Sequence, residues 1–251
     1  AVKWYRQAEK QGLASAKHNL GYMYNNGYGV NKNLVMAREY FEKAADQGFA
    51  AAQYNLGLMY RNGKGGLARS NINAVQWYQK AADQGFALAQ FNLGWMHENG
   101  KGGLTQNDDE AVAWYQKAAN QGFAPAQYNL GSMYYEGTGR LTQSYKNAVE
   151  WYQKAANQGF AQAQYDLGEM YEKGQGVDQS DQEAVQWYQK AAHQGNAKAQ
   201  YNLGRMHENG KGGLPQNNIK AVKWYRQAAN QGFAQAQCNL GLMYENGKGT
   251  L

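Results

Sequence analysis

Ala50–Gly63 reads AAAQYNLGLMYRNG, and near-copies of this stretch return along the whole chain. The glycine of its Asn-Leu-Gly core recurs at Gly21, Gly57, Gly94, Gly131, Gly168, Gly204 and Gly241, in steps of 36 or 37 residues. Self-similarity at a fixed period of this size marks a repeat array. A second motif, AVQWYQKAADQG at Ala74–Gly85, keeps the same beat, with its aromatic lead at Trp4, Tyr40, Trp77, Trp114, Trp151, Trp187 and Trp224. Each unit of an array contacts only its neighbours, so the 251 residues count repeats and not separate cores.

Both motifs read as helices. In the copy at Ala87–Gly100, Ala89, Leu93 and Met96 follow helical spacing with no proline after Gln90. This first helix of each repeat is helix A. Gly94 lies inside it, where glycine costs about 1 kcal/mol relative to alanine, so the missing side chain is expected to serve close helix contact. In the second motif Gln76, Gln79, Lys80 and Asp83 form a polar stripe, and Ala74, Val75, Trp77, Tyr78, Ala81 and Ala82 cover the rest. This is helix B, and its wide apolar arc predicts contacts with two neighbours. The lead tryptophans are expected in the core. Gln84-Gly85-Phe86 should close helix B as a Schellman cap, with Gly85 left-handed and Phe86 folding back. The other link, Asn62-Gly63-Lys64-Gly65-Gly66-Leu67, is a glycine turn whose length variation explains the two spacings.

AQYNLGLMY, a glycine-rich loop and AVQWYQKAADQG at a period near 36 together resemble the Sel1-like repeat family, a branch of the tetratricopeptide-type α-solenoids. The resemblance covers nearly the whole chain. It implies an all-α, right-handed superhelical α/α solenoid of helix-turn-helix repeats forming a single array over 1–251. In that register a lone helix B spans 1–12, six complete repeats run from about Ala14 to Gly232, and a lone helix A spans 234–247. The paired cysteines of the family's secreted branch are missing, so its disulfide staples are not carried over.

Composition narrows the function classes. The 25 Lys and Arg against 19 Asp and Glu leave +6, too little over such a chain to demand nucleic acid. Cys238 is the only cysteine, so no intrachain disulfide forms, which fits a reducing compartment and leaves localisation open. No apolar run approaches the roughly 20 residues of a membrane span, and a soluble chain is expected. The NGKG loops at Lys64, Lys101, Lys211 and Lys248 fail the phosphate-loop signature in spacing and in the residue after Lys. His97 and His207 occupy one motif position three repeats apart, and no pair has the one-turn spacing of a zinc site. Glu98, Glu172, Glu208 and Glu245 recur at one position near the end of helix A, as a repeated surface does. No enzyme, cofactor or metal is therefore expected.

Variation within the chain points to a partner surface. Leu56, Gly57 and Met59 repeat almost unchanged and should be packed, whereas Ala51, Tyr54 or Asn55, Leu58, and Arg61 or Asn62 form the opposite stripe of helix A. The Leu58 position carries Tyr22, Leu58, Trp95, Ser132, Glu169, Arg205 and Leu242 in turn, a set no core position accepts. The resemblance implies that helix A lines a concave surface and that the Asn before Leu-Gly contacts a bound peptide. That Asn is Asn19, Asn55, Asn92, Asn129, Asn202 and Asn239, with Asp166 breaking the row. The alternative role for these side chains is bridging neighbouring helices. Phe91, Asn92, Trp95, Tyr128 and Asn129 would form an aromatic, hydrogen-bonding patch, and Glu169 and Arg205 would orient a partner by charge. The expected function is a non-enzymatic adaptor binding a protein or peptide segment. End-to-end self-association and a regulatory role within a larger enzyme or complex stand as alternatives.

Overall fold

A computed structural model describes residues 1–249, and every regular element among them is a helix. The contacts gather into two compact units, Ala1–Phe123 and the residues from Ala124 onward. The first holds α1 (Val2–Lys10), α2 (Ala14–Asn26), α3 (Leu34–Ala45), α4 (Ala50–Asn62), α5 (Asn71–Asp83), α6 (Ala87–Glu98) and α7 (Asp108–Asn120). The second holds α8 (Ala124–Glu136), α9 (Tyr145–Asn157), α10 (Ala161–Lys173), α11 (Asp181–His193), α12 (Ala197–Asn209), α13 (Asn218–Asn230) and α14 (Ala234–Glu245). Within each unit the even-numbered helices are the A type and pack on the B helices that follow and precede them.

The helix A glycine makes the tightest of these contacts. A methyl group at Gly57 would lie 2.6 Å from the ring of Tyr78, and one at Gly168 would lie 2.7 Å from that of Tyr188. The glycine thus opens a slot for a tyrosine of helix B, and the rings of Tyr78, Tyr115, Tyr188 and Tyr225 are completely buried. Burying such a ring outweighs the roughly 1 kcal/mol helix penalty of glycine.

The expectation that the lead tryptophans form the core needs correction. The tyrosine that follows is the deeper residue at Tyr78, Tyr115, Tyr152, Tyr188 and Tyr225, whereas Tyr5 after Trp4 is half-buried. Trp114 and Trp187 are buried, Trp77, Trp151 and Trp224 are half-buried, and Trp4 is 70% exposed. A lysine one turn on lies over the ring face, at 4.0 Å for Lys80 on Trp77 and 3.7 Å for Lys117 on Trp114. The same pairing recurs at Lys154 on Trp151 and Lys190 on Trp187. Tryptophan therefore closes the rim, with the lysine stem and cation shielding its outer face.

The link between helix B and the next helix A has two functions. Gly85 takes φ +86°, while Phe86 N donates to Ala81 O and Gly85 N to Ala82 O, which is the Schellman pattern. The glutamine flanking that glycine and the one ending AxAQ form an amide ladder. Gln53 is buried, donates to Ala45 O at 3.3 Å and accepts from Gln84 at 2.7 Å. Gln90 repeats this with Ala82 and Gln121, and Gln164 with Ala156 and Gln194. Buried amides must be hydrogen bonded, and this motif ties each one to a carbonyl of the preceding helix B and to the glutamine that ends the helix B following it. Helix B is started by a side-chain cap at Asn33, Ser70, Asn107, Ser144, Ser180 and Asn217.

Candidate functional site

The variable stripe of helix A splits into two parts. Its inner part is structural. Tyr54 packs on Tyr78 and Phe86 with ring centroids 5.7 and 5.3 Å apart, and Phe91 packs on Tyr115 and Phe123 at 5.6 and 5.3 Å. Tyr128 repeats the arrangement between Tyr152 and Phe160. His18 takes the same place between Phe41 and Phe49, and burial lowers its pKa, so the neutral ring is favoured. Phe91 and Tyr128 are thus half-buried packing residues, with faces already engaged.

The outer part lines hollows between one helix A and the next. At α2, α3 and α4 the hollow measures about 150 Å³ and includes Tyr22, Asn25, Phe41, Asn55 and Leu58. At α8, α9 and α10 it measures about 210 Å³, bordered by Tyr128, Ser132, Tyr152, Asp166 and Glu169. Tyr22, Phe41, Asn55 and Leu58 stand at the motif positions of Ser132, Tyr152, Asp166 and Glu169.

The predicted asparagines are engaged within the array to different degrees. Asn55 Nδ2 lies 2.9 Å from His18 Nε2, and Asn92, which is buried, accepts from Arg61 Nη1 at 2.9 Å. Asn202 is also buried and accepts from Arg205 Nη1 at 3.3 Å, while Asn129 is half-buried. Much of the hydrogen-bonding capacity expected to serve a ligand is therefore spent within the array. Trp95 is not a bare anchor either, because the Arg61 guanidinium covers its ring at 4.9 Å. The charges at Glu169 and Arg205 are paired internally: Glu169 with Lys173 and Arg205 with Glu172, each at 3.3 Å. Leu58 is half-buried on the rim of the first hollow.

The repeated glutamates have a role that sequence alone concealed. Glu98, Glu172 and Glu208 accept from the hydroxyls of Tyr115, Tyr188 and Tyr225 at 2.6, 2.7 and 2.7 Å. They satisfy the phenol of the ring that fills the glycine slot. Where the position holds Tyr135, the Tyr152 hydroxyl turns to Ser132 Oγ at 3.1 Å.

Asp166 is the electrostatic outlier. Burial pushes its pKa up to about 6, with nearby Glu169 adding to the shift and Tyr128, Gln162 and Lys198 opposing it. Gln162 Nε2 reaches its two oxygens at 3.2 and 3.3 Å. Among the described residues no three or more His, Cys, Asp or Glu side chains are placed to hold one metal ion, and no helix is long and apolar enough to cross a membrane.

Helix pairs stacked by a glycine–tyrosine joint, with variable hollows along successive A helices, define a helical-repeat solenoid. The family model of the Sel1 repeat matches residues 1–13, 14–49, 50–86, 87–123, 124–160, 161–196, 197–233 and 234–251, and the chain belongs to this family. Proteins of this kind are generally non-catalytic scaffolds that mediate protein interactions. The chain is similar to the crystal structure of c5321, a protective antigen present in uropathogenic Escherichia coli strains. That similarity is 38% identity over 98% of this chain with a TM-score of 0.87. This chain spans 52% of that protein's length. It is also similar to a Sel1 repeat protein from Oxalobacter formigenes, at 35% identity and TM-score 0.77 over 88% of this chain and 86% of that one. A search of curated proteins gave no match.

Proposed function

We propose that the array is a non-enzymatic scaffold that binds a peptide or protein segment along the outer stripe of its A helices. The observation that carries this reading is the division of labour within the repeat. Residues copied faithfully are packed, and residues that change from copy to copy, Tyr22, Leu58, Ser132 and Glu169 among them, border open hollows. Selection of displayed random peptides against the array tests it. Selected peptides should lose at least about ten-fold in affinity, about 1.4 kcal/mol, on Leu58→Asp or Glu169→Lys and keep it on Gln79→Ala of helix B. Peptides indifferent to every stripe substitution would refute the reading.

A second reading, association through the ends of the array, has one observation in its favour. Gly241 has no atom within 4 Å of the place its methyl would occupy, whereas Gly57, Gly94, Gly131, Gly168 and Gly204 each receive a tyrosine. A following helix B or the α1 of a second copy, which carries Tyr5 after Trp4, would fill that slot. Light scattering over a hundred-fold concentration range, with Tyr5→Ala as control, separates association from a monomer.

A further inference from the structure

The hollows between successive A helices can be compared with one another, because the same positions recur in each. Between α4 and α6 the position is filled from within the chain. Arg61 lays its guanidinium on Trp95 and donates to the side-chain Oδ1 of Asn92, two residues before Gly94. Between α10 and α12 it is again filled by an arginine, this time reaching from the opposite side. Arg205 donates to Asn202, two residues before Gly204, and to Glu172. Two independent side chains, from different motif positions, thus deliver the same group to the same acceptor.

Between α8 and α10 neither arginine is present. The Arg61 position holds Tyr135, whose hydroxyl turns to Gln175 at 3.4 Å, and the Arg205 position holds Glu169. The acceptor two residues before Gly168 is Asp166, a carboxylate in place of the amide. The hollow stays open at about 210 Å³, with Tyr128 and Tyr152 among its walls and Glu136 at its edge. Asp166, Glu169 and Glu136 line it with a single lysine, Lys173, which is half exposed and tied to Glu169, and Lys198 is the other cation acting on Asp166. The other open hollow, at α2 to α4, has Asn25 and Asn55 and no carboxylate.

We propose that the hollow bounded by α8, α9 and α10 is the seat for an arginine side chain of the bound segment, taking the place that Arg61 and Arg205 fill in the neighbouring repeats. This rests on the peptide-binding reading above and adds the chemistry of one subsite. A guanidinium fits better than an ammonium, because its planar fork can donate twice to a carboxylate whereas an ammonium offers only a point charge. Glu169 is already shared with Lys173, so Asp166 supplies the principal charge. Burial makes that charge costly, and an incoming cation would offset the cost.

The probes are three pentapeptides, Ac-GGRGG-NH2, Ac-GGKGG-NH2 and the citrulline counterpart of the first, titrated into the full chain at fixed ionic strength and followed by amide chemical shifts. The arginine peptide is expected to give saturable millimolar binding centred on Ser132, Tyr152 and Asp166. The lysine peptide should bind at least about five-fold more weakly and the citrulline peptide not at all. Asp166→Asn, which restores the amide of the other copies, should weaken arginine binding at least about ten-fold, whereas Glu42→Gln in the first unit should not change it. Lowering the pH through about 6 should weaken it as well, as the Asp166 carboxylate takes up a proton beside Tyr128, Glu169 and Lys198. Equal shifts with all three peptides, an unaltered response in Asp166→Asn, or no saturable shift would overturn the proposal. Displayed peptides that need the stripe, lack arginine and do not compete with Ac-GGRGG-NH2 would sink this subsite and leave the scaffold reading standing. Arginine binding in the hollow with partners indifferent to the stripe would do the reverse.

Discussion

Replacing Asp166 by asparagine should stabilise the protein at neutral pH. Its carboxyl is raised from 3.8 to about 6 chiefly by burial, so the folded chain holds that proton more tightly than the unfolded one. A folded pKa above the unfolded value means that stability falls as pH rises from about 4 to about 6, and stays lowered above that. Each pH unit is worth 1.36 kcal/mol, which makes the cost of the charge about 3 kcal/mol at pH 7.5. Asparagine removes the charge and keeps one acceptor for the Gln162 amide, losing the other at about 1 kcal/mol. The net gain expected is about 2 kcal/mol at pH 7.5, shrinking to nothing or reversing at pH 4.5, where Asp166 is already protonated. Urea titrations of both proteins at the two pH values, followed by tryptophan emission, measure the difference, and general acid effects cancel between them. A variant less stable by the same amount at both pH values would show that Asp166 is not a strained buried charge. Asparagine is what the other copies carry, so keeping aspartate here at a cost in stability accords with a functional demand at this site.

Three further outcomes follow from the packing. Gly57→Ala places a methyl 2.6 Å from the Tyr78 ring and should cost about 1–3 kcal/mol despite alanine's better helix propensity, whereas Gly241→Ala, with open space around it, should gain up to about 1 kcal/mol; thermal melts compare the two. Glu208→Ala leaves the hydroxyl of Tyr225 without its 2.7 Å acceptor and should cost about 1–3 kcal/mol by urea titration, with Tyr225→Phe rescuing part of the loss in the double variant. Arg61→Ala uncovers the Trp95 ring and should change its emission with a stability loss near 1 kcal/mol; an emission spectrum identical to that of the parent would contradict the stacked geometry.

Much of this fold was legible in the chain because its signals are local and repeated. The period places each helix, the glycine after Gln84 places the cap, and Gly57 announces a close contact without saying with what. The reading failed where burial depends on a partner helix. Trp77 and Tyr78 are adjacent and both aromatic, and only the slot at Gly57 decides that Tyr78 goes to the centre while Trp77 stays at the rim under Lys80. The glutamates looked like a surface because their acceptor role belongs to tyrosines 16 or 17 residues away.

The linear pattern was enough to identify an array of Sel1 repeats, the packing of Leu56, Gly57 and Met59, and the stripe whose residues change from copy to copy. These follow from periodicity, which the chain displays without folding. Tertiary structure alone decided which members of the stripe are free. Asn92 and Trp95 are engaged by Arg61, and Arg205 by Glu172, whereas Asp166 borders an open hollow. Partners 31 and 33 residues distant in sequence meet only when consecutive A helices stack, so the difference between a filled hollow and a vacant one exists nowhere in the linear pattern.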